Sequence, residues 1–135
     1  FGYKPVFVKI APDMNEEEVV SLANCLLELK IDGVIATNTS LDKSLVAGHK
    51  HAEEAGGLSG KPIKDASLAI TKQLADALEG KLPIIGVGGI NSAADALERL
   101  EAGASLVQLY TGFIYQGPNL ISQCAEALAT FSRQN

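Results

Sequence analysis

Tryptophan is absent and aromatic residues make up only 5% of the chain, so any core must be built from aliphatic side chains. Basic residues are few, with 11 Lys+Arg against 16 Asp+Glu and a net charge of -5. They form no patch, which argues against a nucleic-acid surface. No apolar run approaches the roughly 20 residues that a membrane-spanning helix needs, so this piece is expected to be soluble by itself. The two cysteines, Cys25 and Cys124, each fall on the apolar face of a predicted helix. They are expected to be buried, reduced packing residues in a reducing cytosolic setting, not a disulfide or ligand pair. His49 and His51 lie in a polar loop without a third ligand, and no metal is expected. The chain begins at Phe1, with no cap or targeting segment before the first apolar stretch at Val6. It reads as a piece cut from a longer polypeptide. At 135 residues it has the size of one domain but falls short of the roughly 250 typical of an α/β barrel.

What the chain does carry is a regular alternation of strand and helix, in an ordinary globular composition of 47% hydrophobic and 20% charged residues. Residues 6–10 read as an apolar strand interrupted only by Lys9 and ended by Pro12 and Asp13. Asn15 caps the next helix with Glu18 at its third position, and Val19, Val20, Leu22, Ala23, Leu26 and Leu27 recur at helical spacing. Residues 33–37 give a second strand, which runs into Asn38, Thr39 and Ser40. A long polar loop follows and closes on Gly56-Gly57-Leu58-Ser59-Gly60. Loops of that length inside a compact domain tend to be functional, with Gly56 and Gly57 read as loop closure.

The spacing predicts a second helix over 67–79, with Ile70, Leu74, Ala77 and Leu78 inward and Gly80 after its end. A third strand starts at Pro83 and ends in Gly88-Gly89. Ser92 and Asp95 then cap a helix with Ala96, Leu97 and Leu100 as its buried stripe, and Gly103 terminates it. Residues 106–109 form a fourth strand ending in Tyr110-Thr111-Gly112. Pro118 suits the first position of a last helix, which places Leu120, Ile121, Cys124, Ala125 and Leu128 on one face.

Four strand-helix units with strands apolar on both faces indicate an α/β fold with a parallel sheet. An open doubly wound sheet and part of a (β/α)8 barrel both accommodate the pattern. A doubly wound nucleotide-binding sheet would concentrate glycines after its first strand, where Ala11-Pro12-Asp13 supplies none. Lys9, Thr37-Asn38-Thr39, Gly88-Gly89 and Tyr110-Thr111 all sit near the carboxyl ends of their strands, the end at which barrels build their sites. The reading is therefore half of a TIM barrel, with residues 1–135 one partial domain. Strand, Gly88-Gly89 turn and capped helix together suit an anion, because glycine lets the backbone approach a ligand and the free N–H groups attract negative charge. A tight turn needing glycine only for its dihedral angles is the competing account. For Lys9, Asn38 and Thr39 the competing account is a solvent-facing polar strand end.

With those residues in place, the chain resembles the C-terminal half of the dihydroorotate dehydrogenases, the FMN enzymes of pyrimidine synthesis. It is most similar to their membrane-associated, quinone-using class. The match rests on Val8-Lys9-Ile10-Ala11-Pro12-Asp13, residues 32–39, Gly56-Gly57-Leu58-Ser59-Gly60, residues 83–90 and residues 102–113, in the family's order. The resemblance implies that Lys9 contacts the pyrimidine end of the flavin and that Thr37 is a flavin neighbour. It implies that Asn38 and Thr39 hydrogen-bond dihydroorotate or orotate. Ser59 and Gly60 would approach the FMN, and Gly88, Gly89, Tyr110 and Thr111 would hold its phosphate. Ser40 stands where the family often has a second threonine.

The resemblance also implies a serine base and further substrate-gripping residues in the first half of the barrel, none of which is matched here, so no catalytic base is assigned. By itself the piece is expected to be inactive. Its bare strand edges and inner face point to self-association or to pairing with the missing N-terminal half. For a full-length enzyme the resemblance implies a peripheral place on the cytoplasmic side of the inner membrane and a quinone partner. A non-catalytic half barrel and a barrel for another phosphorylated ligand, such as a sugar phosphate, are the other readings. The latter has no use for Lys9 with Thr37-Asn38-Thr39.

Overall fold

The computed structural model describes residues 2–134; Phe1 lies outside them. Four strands, β1 (Phe7–Ile10), β2 (Gly33–Ala36), β3 (Ile84–Val87) and β4 (Leu106–Gln108), pair in parallel in the order β1-β2-β3-β4. That sequential order decides the architecture. A doubly wound sheet reverses its strand order at a switch point, whereas here each unit follows its predecessor in one direction. Because crossovers between parallel strands are right-handed, all the connecting helices fall on one face, as in a (β/α)8 barrel.

The register names the two faces. Val8 and Ile10, Val34 and Ala36, and Ile84 belong to the core beneath the helices. Side chains alternate along a strand, so Lys9, Ile35, Ile85, Val87, Leu106 and Gln108 face the other way, toward the barrel interior. Only the central strands β2 and β3 are buried throughout most of their length. On the outer strands Phe7 and Leu106 are 39% and 62% exposed; both project from the inner face, so the expectation of burial on both faces fails on that side, where no helix of the described residues packs.

The helices are α1 (Glu16–Glu28), α2 (Lys64–Leu78), α3 (Ala93–Glu101), α4 (Thr111–Gln116) and α5 (Asn119–Gln134). At the start of α1, Asn15 Oδ1 accepts from the Glu18 N–H at 3.0 Å and Glu18 Oε2 accepts from the Asn15 N–H at 2.8 Å. This reciprocal cap satisfies two amides that the helix leaves free. α1 and α2 lie side by side, and Val19, Ala23, Leu26, Leu74 and Leu78 form the main core with the sheet. Ile90, Ala96, Leu120 and Cys124 form a smaller cluster between α3 and α5.

Several expectations need correction. Cys25 is exposed, because the buried stripe of α1 is Val19, Ala23 and Leu26 and Cys25 falls beside it; Cys124 is buried as expected. α2 begins at Lys64, after a 3-10 turn at Lys61–Ile63, so Ser67 lies inside the helix and not at its start. Its hydroxyl is buried and donates to the Val87 carbonyl, a bond to the next strand that its neighbours in sequence do not reveal. Val20 and Ile121, expected inward, are 46% and 50% exposed. The short helix α4 was not anticipated, and α5 starts one residue after Pro118.

Candidate functional site

At the carboxyl ends of the four strands lies a cavity of about 260 Å³. Lys9, Val87 and Gln108, from the inner face of the sheet, border it on one side. Lys9 is exposed and makes no hydrogen bond or ion pair among the described residues. Beyond β2 the chain is held by its own polar groups. The Thr37 N–H donates to the Val87 carbonyl at 2.8 Å, and the Asn38 N–H donates to the Ile10 carbonyl at 2.6 Å. Asn38 Oδ1 accepts from the Thr39 N–H at 2.9 Å, which leaves the amide NH2 of Asn38 as a donor for a ligand. Thr37, Asn38 and Thr39 all line the cavity.

The loop that follows is pinned where it returns. Ser40 and Leu58 form an antiparallel bridge, with N···O distances of 3.0 and 2.7 Å. Buried Ser40 also donates its hydroxyl to Asp13, and the Leu41 N–H donates to Asp13 Oδ2 at 2.8 Å. Gly57 does more than close the loop: a Cβ there would run into the Thr39 side chain.

The opposite wall is the Gly88-Gly89 turn, with φ of 115° and 69°. A Cβ on Gly89 would stand 2.5 Å from Lys64 Cα, and one on Gly88 would stand 2.8 Å from Ser67 Oγ. The turn thus rests directly on the first turns of α2. Its carbonyls are engaged: Gly88 O accepts from Arg99 Nη2 at 2.6 Å and Gly89 O accepts from Asn91 Nδ2 at 2.8 Å. Gly60 and Thr111 complete the rim, with Thr111 Oγ1 donating to Ser59 Oγ at 3.0 Å.

A family model described as dihydroorotate dehydrogenase matches residues 1–131. The chain belongs to the dihydroorotate dehydrogenase family. It is 59% identical over 125 residues to a protein of Shewanella frigidimarina named dihydroorotate dehydrogenase (quinone), covering 93% of this chain and 37% of that protein. A protein of the same name from Paraburkholderia phymatum is 58% identical over 125 residues, covering 93% and 36%. The fold matches that of the Eimeria tenella dihydroorotate dehydrogenase crystallised with ferulenol, with a TM-score of 0.88 at 38% identity, over 99% of this chain and 36% of that one. The chain therefore spans a little over a third of the length of these relatives. The parallel strand-helix units are those of a dihydroorotate dehydrogenase barrel.

Nine of the ten residues singled out in the sequence line one cavity of this dihydroorotate dehydrogenase segment: Lys9, Thr37, Asn38, Thr39, Gly60, Gly88, Gly89, Tyr110 and Thr111. Ser59 does not. It borders a neighbouring cavity of about 560 Å³ and reaches the first through its bond to Thr111. Gln108, Ile63 and Ile90 also line the site and were missed. For Gln108 the available signal was alternation, since it lies two positions from Leu106 on the inner face. His49 and His51 are exposed, and His51 pairs with Glu54. Among the described residues no three His, Cys, Asp or Glu side chains cluster as a metal site, and no helix is long and apolar enough to cross a membrane.

Charges behind the turn are fixed by α2 and α3. Lys64 Nζ lies 2.6 Å from Asp95 Oδ1 and 2.9 Å from Glu98 Oε2. These bonds raise the Lys64 pKa, to Asp95 first and then Glu98. Burial alone would raise Asp95, but Lys64, the Asn91 N–H and Ser92 outweigh it and hold the carboxyl below its ordinary 3.8. The Asp95 contribution to stability is thus complete above pH 3.8 and fades as pH falls through the lower folded value; that of Lys64 is complete below pH 10.5 and fades as pH rises through the higher one. Asp95→Asn is expected to lower stability by about 1.5–3 kcal/mol at neutral pH. Urea unfolding at a series of pH values checks this: the difference from the unmutated chain should shrink only in strong acid or strong base.

Proposed function

We propose that this chain forms the flavin- and substrate-facing part of a dihydroorotate dehydrogenase (quinone), which oxidises dihydroorotate to orotate by hydride transfer to FMN in de novo pyrimidine (UMP) biosynthesis. One observation carries the reading. The lysine, the amide, the hydroxyls and the paired glycines, contributed by all four strand ends, border a single cavity. The donor set suits a flavin nucleotide. A turn whose glycines admit no Cβ without displacing α2 leaves room for a phosphate against bare peptide groups. When bound, FMN supplies the hydride acceptor.

The residues then divide the work. Lys9 brings an ammonium to the cavity, where it offsets negative charge on a ligand ring. Asn38, with a free NH2 group, and Thr39, with its hydroxyl, offer donors and acceptors to the carbonyl and N–H groups of a pyrimidine. Thr37 is buried at the base of this arm, where its backbone bonds hold the pair in place. Gly88, Gly89, Tyr110 and Thr111 face the phosphate, and Gly60 the adjoining flavin, with Ser59 bracing Thr111. No residue here has the role of base, so residues 1–135 form a partial FMN domain that depends on other parts of the barrel for proton removal. For the whole enzyme the reading includes a quinone acceptor and a peripheral place on the cytoplasmic side of the inner membrane.

FMN titration followed by flavin fluorescence tests the proposal. Saturable binding of one FMN per chain is expected, with no dihydroorotate oxidation by the isolated chain; absence of any flavin binding would overturn it. A second reading, a non-catalytic half barrel that self-associates, is favoured by the exposed inner-face Leu106 and by the outer edges of β1 and β4, which pair with no further strand among the described residues. Sedimentation in the same buffer separates the two, because that reading requires colourless oligomers whereas a flavin-loaded species supports the first.

A further inference from the structure

Arg99 is only 1% exposed, the largest fully buried side chain among the described residues. It stands on α3, where it faces away from solvent while its neighbours Glu98 and Glu101 do not. Nη2 donates to two carbonyls at once, that of Lys64 at 3.0 Å and that of Gly88 at 2.6 Å. Nη1 is buried without a partner among the described residues. No carboxylate forms an ion pair with the guanidinium among those residues. Asp95 and Glu98 are both drawn to Lys64, and they reach Arg99 only through space. A buried cation lacking a direct counterion is costly unless something else balances it.

What balances it follows from the peptide plane. Ala36–Thr37 is the one cis bond among the described residues, so the Gly88–Gly89 peptide is trans, and in a trans peptide the N–H points opposite to the carbonyl. Arg99 holds the Gly88 carbonyl on the α3 side of the turn. The Gly89 N–H is therefore turned the other way, and both glycines border the cavity. Polarisation of the peptide by the guanidinium strengthens that N–H as a donor.

We propose that Arg99 is a positioning residue for the anion site: it locks the Gly88–Gly89 peptide so that its N–H addresses a phosphate monoester in the cavity, whose charge in turn balances the guanidinium behind the turn. This rests on the flavin-phosphate reading and adds the residue that makes the site select for charge. Neutral flavin contacts lie on the Lys9 side and do not depend on it.

Riboflavin, which carries the same ring system without phosphate, isolates the effect. The full chain, Arg99→Met, Arg99→Gln and Arg99→Lys are titrated with FMN and with riboflavin, and their unfolding midpoints are measured. Arg99→Met is expected to weaken FMN by about tenfold or more while leaving riboflavin within about twofold. Arg99→Lys, which keeps the charge and can still donate to Gly88, recovers most of the FMN preference. Should Arg99→Met not fold, Arg99→Gln, which keeps a donor without the charge, carries the same expectation. Equal weakening of both flavins would mark Arg99 as merely structural, and unchanged FMN binding would remove it from the site; either overturns the proposal. If the unmutated chain binds neither flavin, the flavin reading fails by itself. Inorganic phosphate followed by 31P NMR then decides Arg99: binding lost in Arg99→Met supports the positioning role, and no binding by the unmutated chain overturns it.

Discussion

Gly89→Ala is expected to abolish FMN binding and to cost roughly 2–5 kcal/mol of stability, the sum of a left-handed dihedral on a residue with a Cβ and of overpacking against fixed atoms. At φ 69° the added methyl would lie 2.5 Å from Lys64 Cα, 2.6 Å from its Cβ and 2.8 Å from its N. Two of those atoms are backbone, so no side-chain rotation relieves the clash. The turn must lift away from α2, which disturbs the Arg99 bonds to Gly88 and Lys64 together. Gly80→Ala is the control. Its φ of 74° carries a similar dihedral penalty, but nothing lies within 4 Å of the new methyl, and it follows Glu79, the C-cap of α2, at the end far from the cavity. It should lose about 1–2 kcal/mol and bind flavin normally. Urea unfolding and flavin fluorescence on both variants make the comparison, and unimpaired FMN binding by Gly89→Ala would detach the turn from the site.

The same geometry explains which parts of the molecule could be read in one dimension. Strand and helix periodicities are local, so the four strands and the cap at Asn15 and Glu18 were legible to within a few residues. The cavity was legible because its residues follow their strands directly, and sequential parallel pairing brings every strand end to the same rim. What stayed hidden is what depends on partners distant in the chain. Arg99 looks like a solvent-facing charge until α3 packs beside Lys64 and Gly88. Ser67 has the composition of a helix cap, and only the placement of β3 shows that its hydroxyl serves the Val87 carbonyl. Cys25 lies one position from Leu26, and the arc of α1 that the core covers is too narrow to include it. The helix α4 begins at Thr111, a residue with a claim to the phosphate site, and its exposed Ile114 and Tyr115 give no periodic stripe from which to infer it.

Stability and binding can be pulled apart with a change in the core that leaves the cavity alone. Leu74 is fully buried between α1 and the sheet, among Leu26, Ile70, Leu78 and Ile84. It follows Ser67 by two helical turns, roughly 10 Å along α2. Leu74→Ala is expected to cost about 2–5 kcal/mol, a large part of the 5–15 kcal/mol total that is usual for a domain. Because a ligand that binds only the folded state stabilises it by its own mass action, FMN at about 100 times its Kd should restore about 2.7 kcal/mol. That increment should be equal in the unmutated chain and in Leu74→Ala, whereas Gly89→Ala, similarly destabilised, should gain nothing. Denaturant midpoints with and without FMN give all three values. If Leu74→Ala also forfeits the increment, then the Gly88-Gly89 turn is not an independent lip resting on α2; it draws its shape from the packing of the whole helix, and Lys64 and Ser67 would be the points through which that packing reaches it.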